Sequence, residues 1–114
     1  MINETSATQV VVTYCTCPNL KTARLIAETL VEEGRAACVN ILPGVSSVYR
    51  WQTRIEADVE VLLMIKTTEN QIAPMTNRIT DLHPYEVPEV ICHPITAGHE
   101  TYLEWVRQCT ANNT

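Results

Sequence analysis

Hydrophobic positions along this chain change their period several times, and each change marks an element. "QVVVTYC" (Gln9–Cys15) is a β-rich run closed by "TCPN". After Pro18, Leu20, Ala23, Ile26, Ala27, Leu30 and Val31 recur at helical spacing, with Lys21, Arg24, Glu28 and Glu32 on the opposite side. Gly34 is a plausible stop for that helix. "AACVNIL" (Ala36–Leu42) returns to strand character, and Pro43-Gly44 breaks or bends it. Two alternating runs, "SSVYRWQT" and "DVEVLLMIKT", joined by the polar "RIEA", form a long hairpin. Ile72, Met75, Ile79 and Leu82 mark a second helix, which must begin near Asn70 to Ile72 because Pro74 is tolerated only in a first turn. "EVICHPI" (Glu89–Ile95) is the last strand, and Tyr102, Trp105, Val106 and Cys109 mark a closing helix from about His99.

The order is β-α-β-β-α-β-α, and its first six elements match the ferredoxin-like split βαβ arrangement, an α+β fold with two helices on one face of an antiparallel sheet. A doubly wound parallel fold is disfavoured, because the central strands are a hairpin with no crossover helix. Residues 9–110 form a single domain on this reading, with 1–8 and 111–114 as loose ends.

This fold sets a packing problem. Val59, Val61, Leu63 and Ile65 face one way along their strand, yet Leu62 and Met64 face the other. The first strand is also apolar on both faces, and Tyr49 shares a face with Trp51. A short C-terminal helix covers only part of the second face. Apolar patches of that size mark interfaces, so an obligate homo-oligomer is expected.

Composition narrows the function. With 46% hydrophobic and 18% charged residues, the 114-residue chain reads as globular. The net charge of −5 and scattered Lys and Arg argue against a nucleic-acid binder, which needs a concentrated basic face. No run has transmembrane length and "MINETSATQ" lacks a signal pattern, so no membrane association and a cytoplasmic location are expected. The five cysteines, at 15, 17, 38, 92 and 109, fit reduced thiols better than a disulfide framework. Cys38, Cys92 and Cys109 sit on apolar faces and read as packing.

Candidate chemistry concentrates in two places. Cys15 ends the first strand, where it is either a soft ligand for copper or zinc or a buried filler. Cys15-x-Cys17 could turn two sulfurs to the same side, although Pro18 puts Cys17 in the turn with its direction unset. The second place is "DLHPYEVPEVICHP" (Asp81–Pro94). His83 before Pro84 ends a helix, which alone accounts for it, while Glu86 and Glu89 supply carboxylates on the connection to the strand. Pleat geometry puts Glu89, Ile91 and His93 on one face and Cys92 on the other, so Cys92 and His93 cannot share an ion. A cysteine hydrolase is disfavoured, because neither a helix N-terminus nor a Gly-rich turn is evident beside Cys15.

"CTCPN", "AACVNILPGVSSVYRW", "EVLLMIKTT", "HPYEVPE" and "YLEWV", in this order from about Val10 to Trp105, resemble the CutA divalent-cation tolerance proteins. The resemblance implies a ferredoxin-like protomer, a tight homotrimer of packed sheets, and a likeness to PII signalling trimers that bind effectors between subunits. It implies divalent metal ions, copper foremost, as partners, and no established enzymatic reaction. Carried over to this chain, the family's copper-site proposal points to Cys15, His83 and Glu89. Some members have two histidines before Pro-Tyr; here the pair is Leu82-His83, which removes one imidazole and implies weaker binding or a shifted ligand set. Cys17 also departs from the family pattern. Trp51, Lys66, Tyr85, Tyr102 and Trp105 belong to the recurrent motifs and are candidates to line a subunit cleft, suited to a small anion or a metabolite.

Overall fold

A computed structural model describes residues 7–111; the remaining positions of both expected loose ends lie outside the described residues. The chain runs β1 (Val10–Cys17), α1 (Leu20–Glu32), β2 (Cys38–Trp51), β3 (Arg54–Thr68), α2 (Ile72–Leu82), β4 (Ile91–Pro94) and α3 (Glu100–Thr110), with a 3-10 turn at Glu69–Gln71 before α2. The sheet order is β2-β3-β1-β4, every pairing antiparallel. This is the expected ferredoxin-like arrangement with an extra C-terminal helix.

Local chemistry sets the element ends. The Asn19 side chain accepts from the Thr22 N–H at 2.9 Å and caps α1. At its other end Gly34 takes φ +72°, the Arg35 N–H reaches the Leu30 carbonyl at 2.8 Å, and the Gly34 N–H reaches that of Val31 at 3.1 Å. That pair of bonds satisfies carbonyls the helix leaves open. Pro74 falls in the first turn of α2, as its missing N–H requires.

The hairpin differs from its expected layout. The chain reverses at Gln52-Thr53, where Gln52 has φ +59°, and "RIEA" (54–57) is strand. Pro43-Gly44 bends β2 without ending it. Leu42 pairs with Leu62 and Val45 with Glu60, so β2 holds one extra residue there, with Gly44 at φ +78°. This bulge keeps Leu42 and Val45 on the same face. β4 is shorter than expected; Pro88, with no N–H to donate, precedes it, and pairing starts at Ile91 opposite Tyr14.

The main core lies between the sheet and α1 with α2. Cys15, Cys17, Val61, Leu63 and Ile65 from the strands meet Ala23, Ile26, Ala27, Leu30, Met75 and Ile79 from the helices. On the opposite face a smaller cluster joins Val10 and Ala37 to Leu103 and Val106 of α3. The inward stripe of α3 is therefore Leu103, Val106 and Thr110, and the expected stripe is displaced, with Tyr102, Trp105 and Cys109 exposed. Polar anchoring sets this rotation: the Thr110 hydroxyl lies 3.0 Å from that of Thr68, and Gln71 Nε2 donates to the Thr110 carbonyl at 2.9 Å. Cys92 is also exposed and Cys38 only half-buried, so these cysteines are not the packed residues expected. Among the described residues no helix is long and apolar enough to cross a membrane.

Candidate functional site

The candidate site forms where β1 ends. Alternation along the strand sends Cys15 and Cys17 to the helix-covered face, both fully buried. Cys17 belongs to the strand, pairing with Val61, and not to the turn. Its direction is thereby set: Cys15, Cys17 and His83 each offer a donor atom, and those atoms lie within 4.8 Å of one another. Among the described residues these three form the compact group of metal-capable side chains. Glu89 is exposed on the connection into β4 and stands outside it.

His83 is brought in by the end of α2. Its N–H still bonds the Ile79 carbonyl at 2.8 Å, but its ψ of 136° is extended, as Pro84 demands. The ring then turns back onto the sheet. The Tyr85 backbone N–H donates to Nδ1 at 3.1 Å, so Nδ1 carries the lone pair. Nε2 therefore carries the hydrogen and donates it to the Thr16 carbonyl at 2.8 Å. Both ring nitrogens are committed to backbone groups, and neither pairs with the Cys15 sulfur as a nucleophile's base would.

The two thiols lie side by side, and the Cys15 thiol donates to the Thr16 carbonyl at 3.8 Å. Hydrogen bonding with Cys17, followed by burial and the negative charges of Cys17, Glu89 and Glu60, pushes the Cys15 thiol up. The same hydrogen bonding lowers Cys17, against the opposing effect of its own burial. Two sulfurs and an imidazole suit a soft or borderline cation such as copper or zinc, and not a hard one.

Beside this cluster opens a cleft of about 830 Å³. It is bounded by the β2–β3 hairpin and the segment after α2, with Thr16, Tyr49, Trp51, Glu56, Glu60, Tyr85, Glu86 and Glu89 among its lining residues. Glu60 is buried, and the Tyr85 hydroxyl donates to it at 2.6 Å. Burial and then that carboxylate hold the Tyr85 phenol well above its ordinary range. His83 packs on Tyr85 with ring centroids 4.6 Å apart, so the cleft and the thiol cluster share a wall. Trp51 and Tyr85 line this cleft of the single protomer, and Trp105 lines a separate concavity on α3. The Lys66 ammonium donates to Asn40, and the carboxylate lining of the cleft suits a cation better than an anion.

Sequence reasoning missed the Tyr85–Glu60 pair and undervalued Cys17. A glutamate inside the apolar run "VEVLLMI" was the available signal for the first, and the Cys-x-Cys spacing for the second.

A split βαβ sheet with a thiol–imidazole cluster at the end of its first strand defines a small α+β protein with metal-capable chemistry. The chain belongs to the CutA1 divalent ion tolerance protein family, whose pattern it matches over residues 11–109. It is 48% identical over 99 residues to the divalent-cation tolerance protein CutA of Thermus thermophilus, covering 87% of this chain and 96% of that one. The solved structure of the Thermus thermophilus protein superposes with a TM-score of 0.87 at 46% identity, covering 89% of this chain and 98% of its own. The chloroplastic CutA of Arabidopsis thaliana is 45% identical over 102 residues, which cover 90% of this chain. Those residues are 56% of the plant protein, so this chain spans little more than half of that relative's length.

Proposed function

We propose that this protein acts in the response to divalent metal ions by binding copper or a similar divalent cation weakly, through Cys15, His83 and Glu89. The reading is carried by one observation: the Cys15 sulfur and a His83 ring nitrogen, both buried, lie within 4.8 Å in a chain of the divalent ion tolerance family. Glu89 lines the adjoining cleft and its charge reaches Cys15, which supports a carboxylate contribution at the mouth. To ligate a cation, His83 must release one of its two hydrogen bonds, which favours modest affinity. The protein is read as a binding protein, not an enzyme, working in the cytoplasm as a homotrimer. The trimer is supported by Val48, Ile55 and Val59, which stand bare on the outer hairpin.

Calorimetric titration of the reduced protein with Cu(II), Zn(II) and Mg(II) tests the site. Copper and zinc should bind, magnesium far more weakly, and Cys15→Ser and His83→Ala should each lower the copper affinity. Unchanged affinity in both variants would refute the ligand set.

The cleft favours a second reading, a PII-like signalling trimer that takes a small molecule. Its aromatic walls, Tyr49, Trp51 and Tyr85, are of the kind that hold organic ligands, and its carboxylates select a cationic one. Saturation by such a ligand without any metal, quenching Trp51 fluorescence, would favour it.

A further inference from the structure

We infer that Cys17 is a second thiolate ligand, making the site selective for a thiophilic divalent cation of the Zn(II) or Cd(II) kind. The inference rests on the cation-binding reading of Cys15 and His83 and adds a residue and a metal class to it. Three observations carry it: the strand alternation, the spacing of the donor atoms, and the charge balance of a buried complex.

Residues two apart on a strand project from the same face, and Cys15 and Cys17 are the final such pair of β1. Donor atoms around a tetrahedral ion with bonds of about 2.0–2.3 Å stand about 3.3–3.8 Å apart. A set already within 4.8 Å needs only a small contraction. Charge decides the number of sulfurs. Both cysteines are 0% exposed, and an uncompensated charge there is costly. Within the buried donor group, from which the exposed Glu89 stands apart, one thiolate leaves a divalent cation with a net positive charge, whereas two thiolates and a neutral imidazole make a neutral complex. On binding, each thiol loses its proton to solvent and forms a sulfur–metal bond. Hard cations gain little from sulfur donors, so the second thiolate discriminates against magnesium and calcium.

The cleft meets the cluster at the His83–Tyr85 contact, and Glu60 and Glu89 line it. Those carboxylates draw cations to the end of β1, and the sulfurs select among them.

The test uses Cd(II) under anaerobic conditions on the full chain carrying Cys92→Ser and Cys109→Ser, so that the two exposed thiols do not contribute. Thiolate-to-cadmium charge-transfer absorption counts sulfur ligands. In this background, adding Cys17→Ser should reduce the absorption to roughly half. It should also weaken affinity by at least about tenfold, since loss of even an outer-shell partner costs about 10–100-fold. Cadmium should also slow alkylation of both Cys15 and Cys17, read peptide by peptide, a measurement that needs no variant at Cys17. If Cys17→Ser keeps full absorption and affinity while Cys15→Ser loses them, Cys17 is not a ligand. The inference then fails and the one-sulfur reading survives. Should neither substitution matter, both readings fall. Equal alkylation of Cys17 with and without cadmium would likewise overturn the inference.

Discussion

Strand β3 carries the same alternation along its whole length, yet its two halves have opposite fates. Val61, Leu63 and Ile65 are buried beneath α1 and α2, while Ile55 and Val59, on the same face further out, are 63% and 69% exposed. β1 ends opposite Val61, and beyond that pair only β2 accompanies β3. The hairpin projects past the helices and repeats the core's chemistry with nothing above it among the described residues. One apolar pattern thus serves two purposes. Its inner half builds the protomer, and its outer half is an unmet demand for burial that a second copy of the chain satisfies in the proposed trimer.

Truncating the inner half gives the largest effect. Leu63 is 0% exposed among core residues of both helices. Leu63→Ala should destabilise the protein by about 2–5 kcal/mol, the usual cost of a buried leucine truncation with its residual cavity. Urea unfolding measures it. A loss below about 1 kcal/mol would mean that the inner half is no more critical than a surface, and the contrast drawn along β3 would collapse.

A charge on the outer half should act on assembly instead. Val59→Asp changes an exposed side chain, so the isolated protomer should lose no more than about 0.5 kcal/mol. In an oligomer packed through that face, the carboxylate would be buried without a partner, and the assembly should dissociate. Light scattering at matched concentrations reads the outcome. A wild-type protein that is already monomeric, or a variant of unchanged mass, would remove the hairpin from the interface.

The alternation of β3 is legible in the sequence, because a period of two reports which side chains share a face. It puts Val61, Leu63 and Ile65 together, as the structure has them, but with both faces apolar it does not say which one the helices cover. Periodicity cannot report how far a neighbour reaches, so Val59 was grouped with them although no helix extends over it. The same limit misplaced the inward stripe of α3, whose rotation is fixed by a hydrogen bond between the Thr110 and Thr68 hydroxyls and by one from Gln71 to the Thr110 carbonyl. At the candidate site, helix termination before Pro84 located His83 but left its ring direction open. That direction depends on the Thr16 carbonyl and the Tyr85 N–H, backbone groups with no signature in residue type. Cys17 was uncertain because the end of β1 was uncertain, and a shift of two residues in a strand boundary separates a turn cysteine from a buried donor.

The other face of the outer hairpin sharpens the comparison with the smallest effect. Tyr49 donates its phenol to Asp58 across the β2–β3 pair, in a position open to solvent. That hydrogen bond first, then burial and the charges of Asp58, Glu56 and Glu60, push the phenol up to about 12 from its ordinary 10. Because the folded value lies above the unfolded one, the pair's contribution is complete below about pH 10 and is lost as the pH rises towards 12. Asp58→Asn should bring the ionisation back towards 10, and the tyrosinate absorbance missing from Tyr49→Phe identifies which transition is involved. Solvent screening keeps the associated stability small, as for other exposed pairs, so neither variant should shift the urea midpoint appreciably at neutral pH. A large midpoint shift in Tyr49→Phe would show that this pair is buried in the assembled protein. The interface would then extend over both faces of the outer hairpin, not only the one that carries Val48 and Val59.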